Sequence, residues 1–262
     1  MKTDTITTFT LSYVLKKTRL IMKNNQKNLT FLFTFLCLSF IFSSAFAQRG
    51  VKGSGNVIEQ ERTISGFDAI AVKDGVDVYI ELGSAASVKV KADDNIQGMI
   101  KTEVVGNTLE IEVEGSIWRA EQMAVYVTMP DLEKIIASGG SDIYSTNTLN
   151  LDILEIYTSG GSDVNLELNA EELRCKTSGG SDLHLRGSVD RLLAKASGGS
   201  DLKAKELTVK KCELKTSGGS DAWVYVTEEI EMEASGASDI HYSGRPKVLY
   251  QRSSGASDIH GN

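Results

Sequence analysis

Between Leu154 and Ala234 the chain keeps returning to one alternation of apolar and polar positions. Leu154, Ile156 and Thr158 are separated by Glu155 and Tyr157, and Leu173, Cys175 and Thr177 by Arg174 and Lys176. The pattern recurs at Leu192/Ala194/Ala196, Cys212/Leu214/Thr216 and Ile230/Met232/Ala234. Alternation with period two predicts half-buried β-strands, because successive side chains of a strand point to opposite faces. A second alternating pair follows each of these, as in Val164/Leu166, Leu183/Leu185, Leu202/Ala204 and Ala222/Val224.

The two alternating stretches are joined by a signature, Ser-Gly-Gly/Ala-Ser-Asp, beginning at Ser138, Ser159, Ser178, Ser197, Ser217, Ser235 and Ser254. Its starts fall 18 to 21 residues apart. Self-similarity at a short fixed period marks a solenoid, in which each repeat is a coil stacked on its neighbours. The expectation is an all-β parallel β-helix with about 19 residues per coil. Each coil should run strand, glycine-rich corner, strand and variable return, with identical positions forming ladders about 4.8 Å apart. Left-handed helices of this kind keep a rigid six-residue rhythm, which these spacings do not, so a right-handed coil is expected. Alanine replaces the second glycine in the last two signatures, so that site cannot strictly require a left-handed backbone.

Upstream, residues 48–137 alternate less regularly, at Ala69–Val72, Val76–Leu82, Val88–Ala92, Thr108–Val113 and Met123–Met129. Asp74-Gly75-Val76-Asp77-Val78 resembles a degenerate corner, and Gly106-Asn107 is a hairpin signal. We read residues 48–262 as one β-helix domain: irregular coils over 48–137, then seven regular coils over 138–262.

Residues 1–47 read as a secretory signal peptide, with Met22 as an alternative start. Lys23 and Lys27 precede an apolar run from Leu29 to Phe42, and Ala45-Phe46-Ala47 supplies a cleavage site before Gln48. Without this leader the chain has 22 Lys/Arg against 34 Asp/Glu, a net charge of −12 compared with −7 for the whole sequence. An exported chain this acidic argues against nucleic-acid partners and against anionic membrane surfaces, and no membrane span is expected after cleavage. Export would put it in the periplasm, on the outer surface or outside the cell.

Cys175 and Cys212 follow the leader, and both fall at inward positions two coils apart. That separation exceeds the reach of a disulfide, so buried thiols are expected.

Counting from the first Ser of each signature as zero, an aspartate column stands at +4: Asp142, Asp163, Asp182, Asp201, Asp221, Asp239 and Asp258. Stacked carboxylates repel by about 1 kcal/mol per neighbour in water. Three readings offset or use that charge: corner hydrogen bonds, calcium between coils, or a ligand-contacting stripe. Position +6 points outward and holds Tyr144, Asn165, His184, Lys203, Trp223, His241 and His260. Tyr144, Trp223, His241 and His260 are candidate ligand-binding residues for a surface glycan or protein. His241 and His260 stand in adjacent coils, but the sequence offers no third ligand for zinc or copper. The stripe Lys176, Lys195 and Lys215 reads as a solvated face.

The leader, the opening Gly53-Ser54-Gly55-Asn56, the segment Ile64-Ser65-Gly66-Phe67-Asp68-Ala69-Ile70 and the Ser-Gly-Gly-Ser-Asp coils together resemble a bacterial family known by its domain label, the autotransporter-adhesin head GIN domain. The resemblance spans essentially all of residues 48–262. It implies an exported β-helix of Bacteroidetes-type bacteria acting at the cell envelope, and it brings no catalytic or binding residues.

A catalytic pair needs environments that push two pKa values apart, and identical rungs do not provide that. The expected function is therefore a non-catalytic envelope or surface module that binds glycan or protein in an adhesin-like way, with no cofactor unless calcium lies between the aspartates. A structural envelope scaffold is the alternative, and a polysaccharide-degrading β-helix enzyme the second. Inward Gln251, Ser253 and Gly261 weaken the last coil, leaving either a polar cap or an end that associates with another copy.

Overall fold

Within each coil from residue 154 to residue 240 buried side chains alternate with outward ones, broken at the corners and returns, and the computed structural model stacks the buried positions in register. It describes residues Gly50–Asn262, which cluster as one unit. The leader read in residues 1–47 lies outside the described residues.

The regular coils are parallel throughout. Val164–Thr177, Leu183–Gly198, Leu202–Gly218 and Ala222–Gly236 pair successively, with Leu154 opposite Leu173, then Leu192, Cys212 and Ile230. Each is a strand of 14 to 17 residues. What looked like a strand, a return and a second strand is one bent strand, interrupted only at the signature corner. Ile135, Ile156, Cys175, Ala194, Leu214 and Met232 make one inward ladder, all buried. Burying a large aliphatic side chain contributes roughly 1.5–3 kcal/mol, so the continuous core is what holds the coils together.

The N-terminal half departs from the expected run of irregular coils. Four of its segments, Ala69–Val72, Asp77–Leu82, Thr108–Ile111 and Ala124–Met129, join the parallel stack, in an order the chain does not follow. Ala69–Val72 pairs with Lys134–Ala137 on one side and Thr108–Ile111 on the other. Asp77–Leu82 likewise lies between Ile143–Ser145 and Ala124–Met129. The later segment 108–129 is therefore the outer layer. Beyond it, Ile100–Val105 runs antiparallel to Thr108–Val113, and Ser87–Asp93 runs antiparallel to both Met123–Met129 and Val57–Arg62. An antiparallel flap thus covers this end of the parallel stack.

The two N-terminal motifs fasten that flap. Asp93 is wholly buried, and its carboxylate accepts the N–H groups of Gly55 (2.5 Å) and Glu121 (2.8 Å). Ser54 Oγ and Asn56 Nδ2 donate to Asp94, and a Cβ on Gly53 would sit 2.6 Å from the Asp93 carboxylate. Phe67 is buried in the core. Gly53-Ser54-Gly55-Asn56 is thus a clasp around the Asp93–Asn95 turn.

At the other end, Lys247–Gly255 pairs only with Ala222–Gly236 among the described residues, and all nine of its residues are exposed. Val248, Leu249 and Tyr250 add apolar surface to this open edge.

Candidate functional site

The signature corner places the outward column, so its geometry comes first. Its first glycine has φ between +68° and +86° in every coil. The second is also left-handed at Gly140 (+78°) and Gly161 (+80°), but not at Gly180, Gly199 or Gly219. In the later coils its N–H instead joins the ladder, Gly219 donating to the Gly198 carbonyl at 2.6 Å and Ala237 to that of Gly218 at 2.7 Å. Alanine is admitted at 237 and 256 because the corner has switched conformation before them.

The serine at +3 switches in the same way. Ser162 Oγ accepts the N–H of Ser141, and Ser181 Oγ that of Ser162. From Ser200 onward the hydroxyl turns back into its own corner and donates to the carbonyl of the first Ser, at 2.8 to 2.9 Å. These serines are buried. None is available as a nucleophile.

The aspartate column forms a ladder of side chain on main chain. Asp142 Oδ1 accepts the N–H of Asp163 (3.0 Å), Asp163 that of Asp182 (3.0 Å) and Asp182 that of Asp201 (3.3 Å). Asp221 and Asp239 do the same for Asp239 and Asp258, each at 3.0 Å. Lys203 Nζ stands 2.5 Å from Asp182 and 3.6 Å from Asp201, neutralising the middle of the column. Among the described residues no three carboxylate, imidazole or thiol groups converge as a metal-binding cluster.

The +6 column is longer than the repeats suggested. Tyr144 pairs with Tyr79, and Tyr79 with Tyr126. Their rings stack at centroid distances of 5.3 Å and 4.9 Å. The column continues through Asn165, His184 and Lys203 to a second stack, in which Trp223 lies 5.5 Å from His241 and His241 lies 4.9 Å from His260. The interplanar angles are 5° and 17°. The imidazoles of His241 and His260 lie face to face, whereas a shared metal needs ring nitrogens converging on one point. Burial and the Asp142 carboxylate, which accepts the hydroxyl hydrogen bond, push Tyr144 up to about 12. Tyr79 is raised in the same direction, by burial and then by Asp77.

Stacking also decides which aromatic surface is free. Tyr79 and His241 are each sandwiched between two rings. Trp223 has one face on His241 and the other toward its neighbour Lys203. At that second face a trough of about 360 Å³ opens, lined by Asn165, His184, Arg186, Lys203, Lys205 and Trp223, with Leu185 and Glu206. A register break shapes it. Ala204 pairs with Val224, but Tyr225 pairs with Thr208, so Lys205, Glu206 and Leu207 have no partner in the next coil, although Glu206 and Leu207 still pair with Arg186 and Gly187 of the preceding one. Bulges of this kind re-aim side chains, and here Lys205 Nζ lies 5.9 Å from the Trp223 ring centroid.

Of the residues picked out from the sequence, Trp223 borders the trough and His241 and His260 extend its stack, while Tyr144 belongs to the separate tyrosine stack. Arg186 and Lys205 were missed, since nothing in the repeat frame marks them. Tyr79 could have been found, because Asp77-Val78-Tyr79 copies Asp142-Ile143-Tyr144.

A family model described as "Putative auto-transporter adhesin, head GIN domain" matches residues 66–246. Among solved structures, a putative adhesin from Bacteroides fragilis NCTC 9343 is similar at 23% identity and TM-score 0.77, covering 81% of this chain and 100% of that one. A putative lipid binding protein from Parabacteroides distasonis ATCC 8503 is 21% identical with TM-score 0.68, covering 82% of this chain and 100% of that one. A putative adhesin from Parabacteroides merdae ATCC 43184 is 19% identical with TM-score 0.66, covering 82% and 99%. These likenesses establish the fold. A search of functionally curated proteins finds no match.

Proposed function

The chain belongs to the auto-transporter-adhesin head GIN domain family, and from that premise we propose that it is an exported, non-catalytic surface module that binds saccharide in the trough beside Trp223. One observation carries this reading. The unstacked face of Trp223 opens into a concavity walled by hydrogen-bonding side chains. A flat π-surface beside a few polar groups fits the two sides of a pyranose, its C–H face and its hydroxyl rim. The binding surface is a rigid sheet, so little ordering is lost when ligand docks.

The non-catalytic part is supported by how the polar columns are used. The corner hydroxyls at +3 are buried and bonded within or between corners, and carboxylates of the aspartate column hold main-chain N–H groups of the next coil. Export is supported by the leader-like residues 1–47 and by the family. Among the described residues no helix is long and apolar enough to cross a membrane.

A glycan array probed with residues 48–262 and with Trp223→Ala tests the reading. Binding by the first that is lost in the second is the expected result. A blank array for both would favour a structural envelope scaffold. Protease treatment of intact cells, with a periplasmic control, tests the location: digestion while the control survives is expected, and protection until the outer membrane is broken would contradict a surface module.

A further inference from the structure

We infer that the trough takes a pyranose bearing a carboxylate, a uronic or sialic acid residue, held by Arg186 and Lys205 against Trp223; this rests on the reading above that the trough binds saccharide. The chain without its leader carries a net −12, yet three of its cations meet here with His184, and Glu206 is the only acid lining the trough. Of the three, Lys203 is already committed to Asp182 and Asp201. The other two have no carboxylate partner among the described residues, and Lys205 faces the Trp223 ring. Arg186 donates one hydrogen bond, to Asn165 Oδ1 at 3.2 Å, and most of its five N–H donors remain free. Among the described residues neither Arg186 nor Lys205 has a carboxylate within ion-pair distance, although Glu206 is the ladder neighbour of Arg186.

Geometry turns these charges into a site. The bulge of the fourth coil carries the Lys205 ammonium over the unstacked face of Trp223. A sugar entering between them meets the indole on one side and an ammonium at its edge. Arg186 lies across the trough, one coil further along. A guanidinium matches a carboxylate with two parallel N–H···O bonds, a selectivity that a neutral hydroxyl cannot reproduce. A neutral sugar would have to displace Lys205 from the ring without offering it a counter-charge.

Calorimetric titration of residues 48–262 with trigalacturonate, sialyllactose, galactotriose and lactose at physiological salt tests this. At least one acidic saccharide should bind about tenfold or more tightly than its neutral counterpart, a difference of about 1.4 kcal/mol. Binding of trigalacturonate alone points to uronates, and of sialyllactose alone to sialic acids. Arg186→Gln and Lys205→Ala should each remove most of the acidic preference, while Lys176→Ala, in another column, should not. Equal binding of acidic and neutral saccharides would overturn the inference and leave saccharide binding intact. An acidic preference that survives both substitutions would overturn the assignment to this trough. If none of the four binds while the array finds another glycan, only this inference falls; if the array is also blank, the reading beneath it falls as well.

Discussion

Gly218 lies so close under Gly198 that a methyl group on it would sit 2.9 Å from the Gly198 carbonyl oxygen, and its φ is +81°. The next residue, Gly219, has no positive φ, and a methyl group there would meet that same oxygen at an ordinary 3.6 Å. Two adjacent glycines of one signature therefore have different reasons to be glycine. Gly218→Ala should cost about 1–3 kcal/mol from the backbone alone, with the clash against the neighbouring main chain added. Gly219→Ala should be neutral or stabilise by up to about 1 kcal/mol, because it restricts the unfolded chain. Gly140→Ala has open space but a φ of +78°, and should fall between them. Urea melts of the three variants check the order; equal effects at 218 and 219 would contradict it.

The aspartate ladder makes a sharper distinction between charge and hydrogen bonding. Asp163 accepts the N–H of Asp182 while facing like charges above and below. Asp163→Asn keeps a carbonyl acceptor and removes the repulsion, so it should be neutral or stabilising. Asp163→Ala loses the acceptor and should cost about 1 kcal/mol. Thermal melts in chelator and in millimolar calcium should superimpose. A calcium-dependent rise in Tm, with Asn as harmful as Ala, would put calcium in the column instead.

The tyrosine stack should be visible by alkaline titration. In the unfolded chain Tyr144 would ionise near 10, and in the folded state burial and the Asp142 carboxylate hold it up to about 12. The folded state thus keeps this proton longer. Its contribution to stability is complete below about pH 10 and disappears as the pH climbs through about 12. Ultraviolet difference absorbance should show a late-titrating phenol that Asp142→Asn brings down toward the ordinary range. A single transition near 10 in both proteins would contradict the stacked, carboxylate-flanked arrangement.

The buried thiols give a simple check of the inward ladder. Burial pushes Cys212 up to about 12 and raises Cys175 in the same direction. Both are free and buried. Residues 48–262 should react with Ellman's reagent only after denaturation, and then with two equivalents. Rapid reaction of the native protein, or none after unfolding, would contradict their placement.

The regular coils were legible because a parallel solenoid copies one period-two pattern into every rung. Cys175 and Cys212 could be assigned to the core from Leu173 and Leu214 beside them. The N-terminal end was not legible for a physical reason: Thr108–Met129 stacks outside Ala69–Leu82, so spatial order reverses chain order, and no local pattern encodes that. Alternation also cannot distinguish the antiparallel strand Ser87–Asp93 from a parallel rung. Trp223 stood out as an outward aromatic, but its one free face depends on His241 occupying the other. The trough depends further on a bulge that leaves Lys205, Glu206 and Leu207 unpaired toward the next coil, so Arg186 and Lys205 become partners only in three dimensions.

The most direct measurement uses Trp223 itself as the reporter. The chain has two tryptophans, and the other, Trp118, is 62% exposed. In a Trp118→Phe protein the emission of Trp223 should change saturably as the strongest-binding saccharide from the array is added, with a midpoint matching the calorimetric Kd. Emission that stays constant while calorimetry records binding would place the ligand elsewhere on the solenoid and contradict the trough as the binding site.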